Sequence, residues 1–300
     1  MIAHFEEIDS KMESLKTRLE FNYSLEFEGR KIVGDNYEDL NEKHYGNNDV
    51  TKRTEHGTHV AGIIGAARGN KIGMDGIADN VLIMPIRNTP MGDETDKDVA
   101  NGIRYAVDNG AKIVNMSFGK EFSPDKQIVD EAVKYAKENG VLLIHAAGNS
   151  NTNTDYFYNY PSPLFEDGSV AENWIEVGAS SINITEELPA EFSNYGSASI
   201  DIFAPGVDIY ATVPDDKYEN NSGTSMAAPV VSGVAALLWS YFPNLTPEQI
   251  IEIIIESGES YSLEVFEPGS QKKVGFSTLS KSGKIVNAYN AVKLALEKYN

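Results

Sequence analysis

The sequence predicts an α/β fold: a three-layer sandwich in which helices cover both faces of a mostly parallel sheet. Two observations carry this. Helix-type and strand-type segments alternate from residue 57 to the end of the chain, and strands separated by helices pair in parallel through crossovers. The run Val141–Ile144 is apolar without a break, as in a strand buried on both faces.

The elements follow in order. Residues 1–30 read as an N-terminal helical segment: over 9–20, Met12, Leu15 and Leu19 fall at three- and four-residue spacing, an amphipathic stripe expected to dock on the main domain. Residues 31–300 form that domain. Its first stretch, 34–49, is rich in Asn, Asp, Glu and Gly and reads as a solvated loop. Helical patterns then fall at 57–68, 96–109, 124–139, 225–241, 246–257 and 287–299. Between them lie apolar runs of strand length, Val81–Ile86, Ile113–Met116, Val141–Ala146, Trp174–Val177 and Asp201–Ala204, bounded by Gly, Asn or Pro. The irregular stretch Glu259–Lys284 reads as a hairpin and loop before the last helix. Sheets of this kind present reactive groups at the C-terminal ends of their strands.

Composition narrows the chemistry. Three hundred residues at 41% hydrophobic content can bury a large core. The absence of cysteine excludes disulfides, thiolate nucleophiles and thiolate metal sites. A net charge of −20 repels phosphate backbones and anionic lipid, so neither nucleic acid nor an acidic membrane is an expected partner. No stretch reads as the ~18 apolar residues of a membrane span, and residues 1–10 have no export-signal pattern. Oligomeric state is left open.

Three segments carry catalytic chemistry. Glu55-His56-Gly57-Thr58-His59-Val60-Ala61-Gly62 passes from a polar opening into a helix, placing His56 at its mouth, where an imidazole can serve as a general base. His56 and His59 could instead be metal ligands or hydrogen-bonded core residues. Helical zinc pairs are four apart around a glutamate, whereas Gly57 and Thr58 intervene here, so His59 reads as structural.

In Asn221-Ser222-Gly223-Thr224-Ser225-Met226-Ala227-Ala228-Pro229, Thr224 is the expected N-cap and Ser225 opens a buried helix. Free N–H groups and the positive dipole end there favour a developing oxyanion. Pro229 lacks the N–H that would pair with the Ser225 carbonyl, which makes the first turn irregular. Ala146-Ala147-Gly148-Asn149 ends the buried strand, and Asn149 offers a neutral amide donor; it could also be a turn former. Asn115-Met116-Ser117-Phe118-Gly119 repeats the design of a strand followed by small residues.

With these segments in order, residues 31–300 resemble the subtilisin-like serine peptidases, the subtilase family. The resemblance rests on His-Gly-Thr-His-Val-Ala-Gly at 56–62, Gly-Thr-Ser-Met-Ala-x-Pro at 223–229, Ala-Ala-Gly-Asn at 146–149 and Asn-Met-Ser-x-Gly at 115–119. It implies a subtilisin-like sandwich and endopeptidase activity on extended polypeptides, with Ser225 as nucleophile, His56 as general base and Asn149 in the oxyanion hole. Ser117, Phe118, Gly119, Ala147 and Gly148 would line the substrate cleft, giving a small-walled pocket for apolar or aromatic side chains. No cofactor is required for the chemistry; structural calcium is frequent in the family, but no metal ligands are assigned. A secreted or periplasmic location is a family expectation.

Two features depart from the family pattern. His145 stands beside the pocket where the family commonly has a small residue. No Asp-Ser-Gly or Asp-Thr-Gly strand precedes His56, so the triad aspartate is expected upstream of residue 1, with 1–30 part of an insertion and 31–300 an N-terminally incomplete domain. Asp35, after Lys31-Ile32-Val33-Gly34, is the internal candidate and reads better as a loop residue. The alternative function is a non-catalytic peptide-binding or regulatory module that has lost its acid.

Overall fold

The computed structural model describes residues 12, 15, 16, 19, 20, 24, 26–51, 54–90 and 92–299. The short α1 (Gly29–Val33) leads through a loop to α2 (Glu55–Gly65) and α3 (Asp96–Asp108). Then β1 (Ile113–Met116), α4 (Lys126–Glu138), β2 (Leu142–Ala146), β3 (Trp174–Ser180) and β4 (Ile202–Pro205) follow. A hairpin, β5 (Ile209–Val213) and β6 (Lys217–Asn221), precedes α5 (Thr224–Tyr241) and α6 (Pro247–Ser257). The chain closes with β7 (Glu259–Ser260), β8 (Glu264–Phe266), β9 (Lys273–Gly275), β10 (Lys284–Ile285) and α7 (Ala288–Tyr299).

The central sheet runs β1-β2-β3-β4-β10-β7. β1 to β4 and β10 are parallel, and only β7 is antiparallel. The pleat of β2 divides the core in two. Leu142, Ile144 and Ala146 pack with Val231, Val234 and Leu238 of α5 and Ile250, Ile253 and Ile254 of α6. Leu143 faces the other way, onto Val99 and Ile103 of α3 and Val129, Val133 and Ala136 of α4. Helix starts follow their caps: the Thr95 side chain accepts from Asp98 N at α3, and Thr246 with Gln249 forms a capping box before Pro247 at α6. Among the described residues α5 alone would suit a membrane span by length and composition, but it is the core helix, packed against the sheet.

Four expectations need correction. Val81–Ile86 is not a strand: it forms no ladder, and Leu82 is 100% exposed, with Ile83, Met84 and Ile86 partly open as well. β1 is paired only with β2, so among the described residues no strand lies where this segment could pair. Val81 nonetheless packs on Gly65 of α2 and Ile86 on Gly102 of α3, touching both helix layers as a sheet strand does. Of the segment 9–20, Met12, Leu15, Lys16, Leu19 and Glu20 are described and the rest lies outside the described residues; Met12, Leu15 and Leu19 are all exposed, so that stripe is undocked.

The loop 34–49 is not wholly solvated. Arg30 brackets Asp35 with bonds of 2.8 and 2.5 Å and also reaches Asp98 at 2.6 Å. The Lys97 ammonium meets Asp35 at 2.8 Å and Glu42 at 3.1 Å, and the side chains of Asp35 and Lys97 are fully buried. This mutual neutralisation clamps the segment onto α3. The β5–β6 hairpin is additional to the expected elements. Its turn places Asp215 and Asp216 at positive φ, which Asp tolerates better than most residues, and its second strand, Lys-Tyr-Glu-Asn-Asn, carries no apolar alternation.

Candidate active site

α5 begins one residue earlier than its sequence suggests, with Gly223 at the cap position. The Thr224 N–H donates to Asn149 Oδ1 at 2.8 Å, and Thr224 Oγ1 donates to the same oxygen at 3.0 Å. Asn149, from the loop after β2, therefore caps α5 in place of Thr224. Thr224 Oγ1 also accepts from Gly148 N at 3.1 Å, closing the loop onto the helix.

With its oxygen engaged, the Asn149 amide is fixed in orientation, and neither its Nδ2 nor the Ser225 N–H has a partner among the described residues. A Cβ built on Gly223 would lie 3.5 Å from Asn149 Nδ2 and 3.6 Å from Ser225 N. Two free donors thus converge on one small space, which the missing side chain of Gly223 keeps open. That is the donor arrangement an oxyanion needs.

The irregular first turn has a specific solution. Pro229 cannot pair with the Ser225 carbonyl, and Ser117 Oγ donates to that oxygen at 2.9 Å instead. Ser117 Oγ accepts from Asn115 Nδ2 at 2.9 Å, and Asn115 Oδ1 accepts from Ser232 Oγ at 2.8 Å. A polar thread from the end of β1 to the body of α5 thereby holds the serine turn. Ser225 Oγ, half-buried, donates to the Ser117 carbonyl at 3.2 Å.

His56 lies in the first turn of α2, exposed and without a hydrogen-bond partner among the described residues. α2 packs on α5, with Val60 and Ile63 of α2 in one cluster with Met226 of the first turn of α5. Although part of the ring is open, surrounding protein depresses its pKa by desolvation, and neighbouring His59 adds to the shift. No carboxylate contributes. His59 is buried, with Nε2 3.1 Å from the Glu219 carbonyl, in keeping with a structural role. Asp35 cannot serve His56, because both its oxygens are held by Arg30 and Lys97; these bonds and charges outweigh burial and keep its pKa below the usual value.

The expected cleft residues are only partly brought together. Gly119 is exposed and Gly148 half-buried, each presenting backbone, and Ser117 supports the serine turn. Ala147 is fully buried in a cluster with Leu188, Ile200 and Phe203, so its methyl does not reach the cleft. Phe118 turns its ring toward the core, edge-on to His145. His145 does not narrow the pocket either. It is fully buried, with Nδ1 2.8 Å from Glu176 Oε1 and Nε2 2.8 Å from the Phe118 carbonyl. Burial would lower its pKa, but the Glu176 charge and the bonds to Glu176 and Phe118 outweigh it, so the ring is held above its ordinary value. Trp174 Nε1 donates to the second Glu176 oxygen at 2.8 Å.

Glu176 and Asn159 belong to this neighbourhood, yet the sequence motifs do not mark them; only cross-strand register, His145 opposite Glu176, reveals the first. Among the described residues no group of three or more His, Cys, Asp or Glu side chains is arranged to hold a metal ion.

Comparison with known proteins agrees with this geometry. Over 245 residues the chain is 39% identical to a thermophilic serine proteinase of Bacillus sp. (strain AK1), covering 81% of this chain and 53% of that protein. Over 186 residues it is 39% identical to thermitase of Thermoactinomyces vulgaris, covering 62% and 61%. It superposes on the prenylagaramide maturation protease PagA with a TM-score of 0.64 at 28% identity, covering 81% of this chain and 83% of that one. The chain thus spans little more than half the length of these two sequence relatives. The pattern of the subtilase family matches residues 8–277, and with its subtilisin-like α/β sandwich this chain belongs to that family.

Proposed function

We propose that this chain carries the nucleophile, general base and oxyanion hole of a serine endopeptidase acting on polypeptides. The observation behind the proposal is the convergence of Ser225 N–H and Asn149 Nδ2 beside Gly223, next to a serine hydroxyl at a helix N-terminus. Ser225 Oγ attacks the scissile carbonyl, and His56 accepts its proton and returns it to the leaving amine. The two donors hold the tetrahedral oxyanion until water repeats the sequence on the acyl-enzyme. A depressed pKa keeps His56 neutral, the form a base requires.

The triad also needs a carboxylate to hold the imidazole in the reactive tautomer. With Asp35 engaged elsewhere, we assign this acid to a strand outside the described residues, pairing with the free edge of β1. A location outside the cytoplasm and stabilisation by calcium belong to the same reading through family resemblance alone. The test is hydrolysis of a casein-like substrate by the protein and its Ser225→Ala variant. Activity should fall to background, a loss on the order of 10² in a chain whose base lacks its carboxylate, because the nucleophile and aspartate losses in subtilisin are not additive; undiminished turnover would remove Ser225 from the mechanism.

A further inference from the structure

His145, near the end of β2, takes no part in the reaction above, and its contacts fix a proton count. Both ring nitrogens face acceptors: Nδ1 lies 2.8 Å from Glu176 Oε1, and Nε2 lies 2.8 Å from the Phe118 carbonyl. The second Glu176 oxygen accepts from Trp174 Nε1 at 2.8 Å, which sets the plane of the carboxylate. A neutral imidazole carries a single N–H, so satisfying both contacts takes one further proton, held by the buried His145–Glu176 pair. The Phe118 carbonyl has no other partner among the described residues, and the N–H and carbonyl of Gly119 have none. Gly119 is exposed and lies two residues beyond Ser117, whose carbonyl accepts from Ser225 Oγ. Free backbone groups at such a place are what an extended peptide pairs with.

We infer that His145 is a positioning residue for substrate: through the Phe118 carbonyl it fixes the backbone at Gly119, and peptide affinity follows the proton held by the His145–Glu176 pair. The inference rests on the polypeptide-substrate reading above. When the pair loses its proton, the remaining N–H stays on Nδ1, because the acceptor there is charged and the one at Nε2 is not. The Nε2 lone pair then faces the Phe118 oxygen, the contact turns repulsive, and the segment is released. Groups from three elements face the ring. β3 supplies Glu176 and Trp174, the stretch after β1 supplies the Phe118 carbonyl and ring, and the stretch before α3 supplies the buried Glu94 carboxyl, whose charge favours the imidazolium. Behind them, Asp201 Oδ2 accepts from Glu176 N at 2.7 Å and is paired with Lys281, while the Lys120 ammonium is bonded to Asp96 at 2.8 Å and to the Glu94 carbonyl at 2.9 Å. Together they hold the His145 pKa above its ordinary value. The proton is therefore present below that value and is lost as pH rises through the folded pKa.

The test measures, by calorimetry from neutral pH upward, binding of an acetylated and amidated peptide of Ala and Leu to the full chain carrying Ser225→Ala. The blocked peptide has no titrating group, and His56, with its depressed pKa, stays neutral over this range. Affinity is expected to fall about tenfold across the titration, the worth of one charge-assisted hydrogen bond. Adding Glu176→Gln should abolish that fall and keep affinity at its neutral-pH level. The new amide donates to Nδ1 and accepts from Trp174, so a neutral ring keeps its proton on Nε2, facing Phe118. Adding His145→Ala should leave affinity about tenfold lower at every pH. In the protein with Ser225 intact the same titration should appear as a rising KM at constant kcat. Circular dichroism melts check the fold of each variant; if the Ala variant unfolds, the parent and Gln profiles decide. A flat parent profile, or the same fall in the Gln variant, overturns the inference and leaves the reaction standing. Binding that titrates as described without any hydrolysis sinks only the reaction, and no binding at any pH removes the polypeptide reading and the inference with it.

Discussion

Ser225 and His56 stand at the mouths of two helices that pack together, yet the serine turn is held by side chains from several segments while the His56 ring has no hydrogen-bond partner among the described residues. Asn149 caps the serine helix, Ser117 takes up the carbonyl that Pro229 leaves open, and Asn115 and Ser232 hold Ser117 in turn. His56 has no hydrogen-bonded neighbour among the described residues and no carboxylate near enough to shift its pKa. The difference follows the sheet. The supports of Ser225 come from β1, from the segments that follow β1 and β2, and from α5 itself, where the parallel ladder is continuous. On the outer edge of β1 the ladder stops among the described residues, and the apolar run Val81–Ile86 lies open. The nucleophile is organised by strand ends, whereas no carboxylate contributes to the pKa shift of the base.

The largest stability effect should fall on the serine side, where His145 ties the end of β2 to the Phe118 carbonyl. His145→Ala leaves the Glu176 carboxylate in a buried position without its cation and should cost about 3–5 kcal/mol, read from urea denaturation near neutral pH. Because the folded pKa of His145 is raised above 6.5, its contribution is complete below that value and is lost as pH rises through the folded pKa. Melting temperature should fall on the alkaline side in the parent protein and stay flatter in the variant. Equal pH profiles would mean that the pair contributes nothing and that the serine side owes its order to the Asn115 thread alone.

Asn149→Ala comes next. Removing the converging donor should lower kcat by ~10²–10³ with little change in KM, while loss of the cap costs roughly 1 kcal/mol of stability. A pure KM effect would make Asn149 a substrate-positioning residue and reduce the serine side to a turn. The smallest effect belongs to the open edge: Leu82→Lys should shift stability by no more than about 0.5 kcal/mol, because the side chain is fully exposed, while aggregation on heating diminishes. A loss of several kcal/mol would show that the run is already packed against something, and the contrast between the two sides would weaken.

The sequence makes the serine side legible because its chemistry is local. His56, Ser225 and Asn149 each sit in a short contiguous pattern at an element boundary, and the alternation of apolar runs with helical periodicity foretells the parallel sheet. What escapes it depends on distant partners. Val81–Ile86 has the composition of a strand, but pairing requires a neighbour that composition cannot supply. Asp35 looks like a loop residue because Lys97, which buries it, is 62 positions away. Asn149 reads as a turn former or a donor; its capping of α5 appears only when Thr224, 75 positions on, is in place. Asn159 follows a run of aromatics and belongs to no motif, and only the bare Cα atoms of Gly119 and Gly148 give it a location.

The central claim, that the base waits for a carboxylate at the β1 edge, is tested by supplying one. The measurement is kcat on a fluorogenic peptide for the 300-residue chain and for the same chain extended at its N-terminus by an apolar strand ending in aspartate. The extended protein should be faster by on the order of 10⁴, the cost of losing the aspartate alone in subtilisin. Its acidic pH limb should move upward, because a carboxylate beside His56 raises a pKa that is now depressed. Equal kcat and an unmoved acid limb would contradict the account and place the orienting group among residues already in the chain.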